Sequence, residues 1–360
     1  MPPSPPLRVL HVDSGREYRG GQNQVRLLAR ALARESDVEQ RLVTKRGSEL
    51  ARRAAATGVA VREAPWGIGL DPRAWWRLRR EAAAFRPQII HAHDAHALRL
   101  TTTWAGGWLD AHTGTAAPPR LVATRRVVFP VRRRSPLFRV DAVVAISEAV
   151  QTTLVAAGVP PAEITVVPSG IDPDEVRAAA AAPFGLRARL GLPDRATVAA
   201  NVAALEPAKD QATLIRAAER ARALRPDLRW VIAGAGPERG RLEALVRALG
   251  LADRVHLLGH VEQVDALIRE SDVLVVSSRE EGLGSVVLHA LALGTPVVAT
   301  RGGGLPEIVP APWLAPVGDA EALAGKVVQA LDHPAPVLLP PLFTASAMAR
   351  GVLAVYRSLV

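Results

Sequence analysis

The chain has 360 residues, of which 49% are hydrophobic and 22% are charged, enough for two domains of ordinary size. It contains no cysteine, which excludes disulfides, thiolate zinc sites and cysteine nucleophiles and fits a reducing compartment. Charged residues interrupt every apolar stretch well before the roughly 18 residues of a membrane span, and no secretory signal pattern is recognisable, so we expect a cytoplasmic protein.

The net charge of +10 is carried by the first half of the chain. Residues 1–170 contain 25 Lys and Arg against 14 Asp and Glu, whereas residues 171–360 contain 20 against 21. Such an excess attracts nucleic acid, anionic lipid or a phosphorylated ligand. A general bias toward arginine, which supplies 42 of the 45 basic residues, is the alternative explanation.

Short β-like runs alternate with helical patterns through the first half. The runs are, in order, LRVLHVD, EQRLVTK, VAVREAP, PQIIHAH, LVATRR, DAVVAIS and ITVVPSG. The helical patterns between them include residues 22–34, 48–57 and 72–85. This alternation predicts βαβ units and a parallel sheet.

The second half repeats the scheme and predicts a second doubly wound sheet. Its runs are ATVAANVAAL, RWVIAGAG, RVHLLGH, DVLVVSS and TPVVATR, and helical patterns occupy residues 210–224, 239–249 and 284–293. The segment VPSGIDPDE, residues 167–175, is the predicted connector because its prolines and glycine break both helix and strand. The tail LFTASAMARGVLAVYRSLV has helical spacing. We therefore predict domains at residues 1–168 and 169–340, with a final helix at 341–360 that packs back on the first.

Several glycines lie at predicted strand ends, where open α/β sheets bind ligands. Gly20 and Gly21 stand at the start of the first helix, where backbone amides and the helix dipole favour an anion, although an ordinary capping turn explains them too. The triple glycine at residues 302–304 indicates either a phosphate nest or a flexible loop. The stretch GAGPERGR, which contains Gly236, lacks the third glycine of a dinucleotide fingerprint, and this disfavours a Rossmann dehydrogenase.

Two charged side chains at strand ends are candidates for ligand contacts. Lys209 is one of three lysines among the 45 basic residues, and an ammonium at a strand end suggests a phosphate contact, with chance placement as the alternative. Glu281 precedes Gly282 and Gly284 after the run DVLVVSS. A carboxylate there suits sugar hydroxyls or, alternatively, the dipole of the next helix.

The motifs resemble those of retaining glycosyltransferases of family 4. EGLGSVVLHALALGTPVVAT, followed by GGGLPEIV, is similar to that family's nucleotide-sugar half, and GGQNQVRLLARAL, VVAISEAV and VVPSGID are similar to its acceptor half. The resemblance covers essentially the whole chain. It implies an α/β fold of the GT-B type, with two facing Rossmann-like domains, the active site between them and a C-terminal helix that crosses back to the N-terminal domain. It also implies metal-independent transfer of a sugar from a nucleotide diphosphate, with retention and without a cofactor.

The resemblance assigns roles to residues of this sequence. Lys209 falls on the lysine expected at the diphosphate, and Glu281 falls on the first acid of the E-x7-E motif, expected at the hydroxyls of the donor sugar. The expected donor-binding residues are Gly20, Gly21, Lys209, Gly236, Glu281, Gly282, Leu283, Gly284, Ser285, His289, Gly303 and Gly304. No enzymic nucleophile is expected, because the departing diphosphate is thought to assist the acceptor on the same face.

Three departures from the family pattern leave an alternative open. His289 replaces the second acid of the motif, which usually holds the nucleotide ribose, and Ala203 and Ala204 stand where an arginine is common. Arg125 and Arg126 replace the expected histidine and are candidates for the acceptor and the leaving phosphate, respectively. The alternative is a catalytically impaired homologue that binds a nucleotide sugar.

The acceptor and its setting follow from the first half of the chain. His93 and Asp94 end the run PQIIHAH and are candidate acceptor contacts, although a core or loop histidine fits the pattern equally well. Arginines are interleaved with aromatic residues in DPRAWWRLRREAAAF and RRVVFPVRRRSPLFR, which suits peripheral docking on an anionic membrane or, alternatively, a solvated face. We expect a glycan or lipid-linked acceptor of cell-envelope polysaccharide or glycolipid synthesis. Nucleic acid is not an expected partner, because no nucleic-acid-binding motif is present.

Overall fold

The computed structural model describes residues 5–67, 71–104, 118–334 and 337–360. The chain folds into two compact units. The first unit comprises Met1–Gly170 and Leu342–Val360, and the second comprises Ile171–Pro341. Each unit has its own parallel sheet and its own core.

The first unit contains a seven-stranded parallel sheet in the order β3-β2-β1-β4-β5-β6-β7. Its strands are β1 (Leu7–Asp13), β2 (Val38–Lys45), β3 (Ala60–Ala64), β4 (Ile89–Ala92), β5 (Arg120–Arg125), β6 (Ala142–Ala145) and β7 (Ile164–Val166). The helices around it are α1 (Gly20–Leu32), α2 (Glu49–Ala55), α3 (Pro72–Phe85), α4 (Ala95–Trp104) and α5 (Glu148–Ala156). Strands such as β6, with the sequence AVVA, are buried along their whole length because helices cover both faces of a parallel sheet.

The second unit contains a six-stranded parallel sheet in the order β10-β9-β8-β11-β12-β13. Its strands are β8 (Thr197–Val202), β9 (Leu228–Ala233), β10 (Val255–Gly259), β11 (Val273–Val276), β12 (Val297–Thr300) and β13 (Leu314–Ala315). Its helices are α6 (Pro173–Ala179), α7 (Leu186–Arg189), α8 (Gln211–Ala221), α9 (Arg239–Ala248), α10 (Val264–Arg269), α11 (Ser285–Leu293) and α12 (Ala320–Asp332).

Both sheets have the Rossmann strand order, with the reversal beside their first strand. In the first sheet the order reverses between β1 and β4, and in the second it reverses between β8 and β11. At such a point the loops after the two strands diverge to opposite faces and leave room for a ligand. The prediction of two doubly wound sheets is confirmed.

The last helix, α13 (Ala345–Leu359), belongs to the first unit. Met348, Val352 and Tyr356 are buried in the same cluster as Leu28 of α1. Thr344 begins the helix by accepting the backbone N–H of Ala347, as an N-cap residue does. The helical pattern predicted for the tail is confirmed.

The helices predicted from the sequence agree with the structure to within a few residues. The predicted helix at 72–85 is α3, and the one at 284–293 is α11, which begins at Ser285. After the glycines at 302–304 the chain forms a single 3₁₀ turn, Leu305–Glu307. Pro310 follows this turn closely, and a helix cannot continue into a proline without losing a backbone hydrogen bond.

Two glycines inside helices provide a matched test of how α13 packs. A Cβ atom added to Gly351 of α13 would lie 2.7 Å from Cγ1 of Val167, whereas one added to Gly325 of α12 would meet nothing within 4 Å. We expect Gly325→Ala to raise the free energy of unfolding by about 0.5–1 kcal/mol, because alanine restricts the unfolded chain. We expect Gly351→Ala to lower it by about 1–3 kcal/mol, because Val167 has a stiff side chain. Scanning calorimetry of both variants measures the two effects, and stabilisation by Gly351→Ala would contradict this packing.

Candidate functional site

A lysine and a glutamate meet at the point where the second sheet reverses its strand order. Lys209 follows β8 and Glu281 follows β11. The Nζ of Lys209 donates a hydrogen bond to Oε2 of Glu281, and the two side chains are 23% and 18% exposed. The fold thus joins two residues that are 72 positions apart. The pair is accessible from solvent and neutralises two charges that would each be costly to bury alone.

The loops that carry this ion pair are tied to each other by further hydrogen bonds. The hydroxyl of Ser277 donates to the carbonyl of Lys209 at 2.9 Å, and the backbone N–H of Arg279 donates to the carbonyl of Ala208 at 2.8 Å. The Nε of Arg279 lies 2.8 Å from Oδ2 of Asp210, the residue that caps α8. The position of the ion pair is therefore set by backbone contacts as well as by charge.

The glycines after β12 pack directly against the segment that carries Glu281. A Cβ atom at Gly303 would lie 2.0 Å from the carbonyl oxygen of Glu281, and one at Gly302 would lie 2.2 Å from that of Ser278. The N–H of Gly304 donates to the carbonyl of Glu281 at 2.9 Å. The Gly304 amide is thus engaged by a backbone carbonyl, and the predicted phosphate nest stays a prediction. These positions require glycine because two backbones approach closely.

Glu281 does not complement the dipole of the next helix, which was its alternative interpretation. α11 begins at Ser285, has no acid in its first turn and is preceded by Gly284 in a left-handed conformation. A side chain at Gly284 would meet Leu305, since a Cβ there would lie 2.8 Å from Cδ2. The segment from Gly282 to Gly284 is buried, so among the neighbouring donor candidates Glu281 and Ser285 retain accessible side chains.

The other donor candidates of this unit lie at two further places. A Cβ atom at Gly236 would lie 2.3 Å from the carbonyl oxygen of Leu205, so this glycine allows the loop after β9 to pack on the loop after β8. His289 lies on α11, and its Nδ1 is 2.6 Å from Oδ1 of Asp265 on α10. Asp265 was missed by sequence reasoning, because an acid in the first turn of a helix is ordinarily interpreted as a dipole contact.

A second polar cluster lies where the first sheet reverses its strand order. Asp13, the last residue of β1, is 1% exposed. Its Oδ1 accepts the N–H of Gly15 at 2.9 Å, and Nε2 of Gln22 lies 3.4 Å from each carboxyl oxygen. Burial, together with the nearby charge of Asp94, raises the pKa of Asp13 from 3.8 to about 6. The first sheet therefore ends on a buried carboxyl group that takes up a proton more readily than an ordinary aspartate does.

The candidate acceptor-binding residues of this unit mostly form hydrogen bonds within their own loops or lie in the core. Asp94 accepts from the N–H and the hydroxyl of Ser14, and from the N–H groups of His96 and Ala97, at 2.6–3.0 Å. It is therefore an N-terminal cap of α4. His93 is 4% exposed and lies in the core. That either residue contacts an acceptor stays a prediction.

Arg125 and Arg126 have different surroundings although they are neighbours in sequence. Arg125 donates to the carbonyls of Val127 and Phe129 at 3.1 and 2.6 Å, so its guanidinium is held by its own loop. Its contact with an acceptor stays a prediction. Arg126 donates to the carbonyl of His93 at 2.8 Å, and its Nε has no partner within the described residues. Burial lowers the pKa of Arg126 to about 10, so it stays charged at neutral pH.

The N-terminus of α1 lies beside this guanidinium. Gly20 and Gly21 are the first two residues of the helix, and a Cβ at Gly21 would lie 3.8 Å from Cδ of Arg126. Backbone amides at a helix N-terminus and an arginine both favour an anion. Gly21 and Arg126, two of the predicted site residues, are thus brought together.

Three buried histidines form a polar cluster beneath the ends of β1 and β4. The Nδ1 of His11 lies 3.0 Å from Nε2 of His93, and both nitrogens of His91 are engaged, by Tyr356 of α13 and by Thr124. Burial lowers the pKa of all three, that of His11 to about 4. Their ring nitrogens lie within 4.8 Å of one another, but the set does not fit a metal centre because His91 has no free nitrogen.

The raised pKa of Asp13 predicts a pH-dependent effect of Asp13→Asn. A folded-state pKa above the unfolded value means that the protonated carboxyl stabilises the fold below pH 4, and that this contribution is lost as the pH rises through about 6. We expect the free energy of unfolding of Asp13→Asn to equal that of the native protein at pH 4. At pH 8 it should be higher than that of the native protein by up to about 3 kcal/mol. Urea denaturation at both pH values measures this difference.

Asp227→Asn is the control, because hydrogen bonds from Arg225 and Thr197 lower the pKa of Asp227 to about 2. This variant should lose stability at pH 8 instead. A difference for Asp13→Asn that does not change with pH would contradict the assignment.

Matches to known families cover both units. Residues 18–175 match the family Glycosyltransferase Family 4, and residues 185–337 match the family Glycosyl transferases group 1. The Streptomyces kanamyceticus 2-deoxystreptamine glucosyltransferase is 36% identical over 280 residues, which are 75% of this chain and 69% of that protein. The Mycolicibacterium smegmatis GDP-mannose-dependent alpha-(1-6)-phosphatidylinositol monomannoside mannosyltransferase is 31% identical over 290 residues, 74% of this chain and 72% of that protein.

A solved structure shares the whole fold. The crystal structure of Anabaena HepE in complex with UDP and glucose has a TM-score of 0.81 to this chain at 19% identity, and covers 98% of this chain and 100% of that one. The fold is therefore GT-B, as the resemblance of the motifs implied. This chain is 36% and 31% identical to the two named glycosyltransferases over most of their length, and its two units match two glycosyltransferase families. It therefore belongs to glycosyltransferase family 4.

Proposed function

We propose that the protein transfers a sugar from a nucleotide-diphosphate sugar to a glycan or lipid-linked acceptor, with retention of the anomeric configuration. The observation that carries this proposal is the Lys209–Glu281 ion pair at the reversal point of the second sheet. A lysine offers a point charge for a diphosphate, and a carboxylate accepts hydrogen bonds from sugar hydroxyls. A nucleotide sugar presents both groups side by side.

Donor binding would replace each partner of the ion pair by a ligand group. The diphosphate takes the place of Glu281 beside Lys209, and sugar hydroxyls take the place of Lys209 beside Glu281. As the bond to the sugar breaks, negative charge grows on the leaving diphosphate, and a preorganised positive group stabilises it. With charge supplied in this way, we expect no requirement for a metal ion.

The activities for which the relatives are named support a nucleotide-sugar donor. One relative is a glucosyltransferase, another is GDP-mannose-dependent, and HepE was crystallised with UDP and glucose. The nucleotides of these proteins differ, so the base is left to experiment. Within the described residues and these matches, no observation favours the alternative of an impaired homologue.

Substitution of the ion pair tests the proposed function. Thermal unfolding with UDP-, GDP-, ADP- and dTDP-sugars identifies the donor, since a ligand at 100 times its dissociation constant stabilises by about 2.7 kcal/mol. We expect Lys209→Met and Glu281→Gln to lower turnover of that donor by a factor of about 10²–10³, because each removes a group that acts in the transition state. Turnover should persist in the presence of a chelator.

Lys326→Met is the matched control, because Lys326 lies on α12 and its only side-chain hydrogen bond within the described residues goes to Gln329 at 3.5 Å. It should keep native turnover. Native turnover in Lys209→Met would refute the proposal, whereas donor binding without turnover in the native protein would support the impaired homologue.

We further propose that the first unit docks on an anionic membrane, at the inner face of the plasma membrane, where a lipid-linked acceptor of cell-envelope synthesis would lie. None of the helices in the described parts of the chain combines the length and the apolar character needed to cross a bilayer. A surface that we term the α3 patch surrounds a depression lined by Arg46, Arg73, Trp76, Arg77 and Arg80. The Trp76 side chain is 62% exposed, and an indole among arginines suits the headgroup region.

A second basic surface lies in the segment after β5. Phe129 and Phe138 are 47% and 37% exposed, and Arg132, Arg133 and Arg134 are exposed between them. Each basic residue near an anionic surface contributes about 1 kcal/mol to binding. Together the two surfaces carry part of the excess positive charge of the first half, and this supports the proposal that this unit docks on an anionic membrane.

Charge reversal tests the membrane proposal. We expect Arg80→Glu and Arg133→Glu each to lower partitioning onto vesicles of phosphatidylglycerol and phosphatidylcholine by roughly tenfold, because attraction becomes repulsion. Arg195→Glu makes the same change on an exposed arginine of the second unit and should have little effect. Cosedimentation with these vesicles and with pure phosphatidylcholine measures the change, and equal partitioning of the native protein onto both would overturn the proposal.

A further inference from the structure

The second unit contains an apolar pocket that the proposed function does not use. It encloses about 150 Å³, and none of the described residues that line it has a charged side chain. The buried part of its lining comes from helix α11, strand β12, helix α12 and the turn before β13. These elements contribute Leu291, Val297, Ala330, Ile308 and Val309.

The walls of this pocket are stiff, so its shape exists before a ligand enters. Pro296, Pro310 and Pro340 are part of the lining, and the proline ring fixes the backbone dihedral φ. The β-branched side chains of Ile308 and Val309 have few accessible rotamers. Such walls resist collapse onto one another, and ligand pockets are usually preformed in this way.

The lining offers almost no hydrogen bonds to a ligand. The carbonyl of Pro296 already accepts the N–H of Leu274 at 2.8 Å, and the N–H groups of Ile308 and Val309 donate to the carbonyl of Leu305 at 3.1 and 2.9 Å. Among the lining side chains, that of Trp313 alone contains a polar atom. A charged or strongly polar ligand would lose its hydrogen bonds to water without replacement. The pocket therefore favours an uncharged, apolar ligand.

The size and the aromatic wall of the pocket narrow the class of ligand further. An apolar cavity of about 150 Å³ stays dry and accommodates one molecule of the size of benzene. Trp313 is partly buried and lines the pocket, and an indole favours a second aromatic ring in an offset-stacked or edge-to-face arrangement. Leu338 also lines the pocket and is 82% exposed, so solvent reaches the lining at this residue.

The pocket lies at the opposite edge of the sheet from the Lys209–Glu281 ion pair. Lys209 and Glu281 follow the carboxyl ends of β8 and β11, whereas Val297 is the first residue of β12. Leu291 and Ala330 lie near the C-termini of their helices, which return the chain from the carboxyl edge of a parallel sheet to its amino edge. A molecule in this pocket would leave the proposed donor site free.

We propose that this pocket is a second ligand site, which takes a small uncharged molecule with a single aromatic ring. The removal of the ring from water drives binding, because the lining supplies apolar contacts rather than hydrogen bonds. The site does not depend on the proposed function, since it shares no residue with the Lys209–Glu281 pair.

Nuclear magnetic resonance of protein with ¹⁵N-labelled tryptophan tests this site with toluene as the probe. The chain has seven tryptophans, and Trp313→Phe identifies the indole signal of Trp313 by its loss. We expect toluene to shift this signal in a saturable manner below its solubility limit. Benzylamine, which carries a charge on the same ring, should bind weaker than toluene by roughly tenfold or more. n-Heptane should bind weaker than toluene by roughly two- to tenfold, because it lacks the contact between rings.

Two substitutions change the pocket in different ways. Ala330→Leu fills it, and we expect toluene binding to weaken by roughly tenfold or more, since the cavity has no room for both groups. Val309→Thr keeps the shape but adds a hydroxyl, and should weaken binding by roughly three- to tenfold because that hydroxyl loses its water. Ala244→Leu, on an exposed alanine of α9, is the matched control and should bind toluene as the native protein does. Thermal unfolding confirms that each variant is folded before affinities are compared.

The remaining outcomes separate this site from the donor site and from other occupants. Toluene should bind Glu281→Gln with native affinity, and competition between toluene and a bound nucleotide sugar would overturn a separate site. Tighter binding of n-heptane than of toluene would assign the pocket to an alkyl chain and overturn the aromatic ligand. A Trp313 signal that toluene leaves unchanged overturns the proposal. If the native protein is then a dimer that Leu338→Asp dissociates, a second copy covers the pocket instead. A protein that binds toluene but no nucleotide sugar would refute the donor proposal alone.

Discussion

The ion pair between Lys209 and Glu281 is the contact on which the proposed donor site depends. It holds together the loops after β8 and β11, which diverge where the strand order reverses. Removing one partner would leave a partly buried charge without compensation. The close packing of Gly303 against the carbonyl of Glu281 limits how far that loop can shift. In the proposed function, a nucleotide sugar exchanges for this pair by presenting an anion to the lysine and hydroxyls to the glutamate.

The two units use the same topology for different purposes. In the second unit the charged groups at the reversal point remain partly exposed. In the first unit the corresponding strand ends are sealed, with Asp13 buried and His91 hydrogen-bonded to Tyr356 of the last helix. Burial keeps the histidines of this cluster neutral and raises the pKa of Asp13. The first unit therefore has a polar core beneath its surface, and α13 is part of that core.

This chain departs from the motif of its family at position 289, where a histidine replaces the second acid. In the structure the Nδ1 of His289 lies 2.6 Å from Oδ1 of Asp265 on α10. An imidazole can carry its hydrogen on either nitrogen, whereas an ionised carboxylate only accepts hydrogen bonds. The packing of α10 against α11 therefore brings the replaced residue and an acid together. For the alanines at 203 and 204, nothing in the structure explains the loss of the arginine.

Local sequence was sufficient for the architecture and for part of the site. The alternation of β-like runs with helical patterns determined two Rossmann-like sheets, because burial on both faces requires apolar strands and one-sided helices. The motifs also singled out Lys209 and Glu281 one by one. Only the tertiary structure decided that these two residues form an ion pair, that His93 lies in the core, and that the side chains of Asp265 and His289 lie within hydrogen-bond distance. Such contacts join residues 24 to 82 positions apart, and side-chain partners at that separation are chosen by strand order and helix packing, which no local pattern encodes.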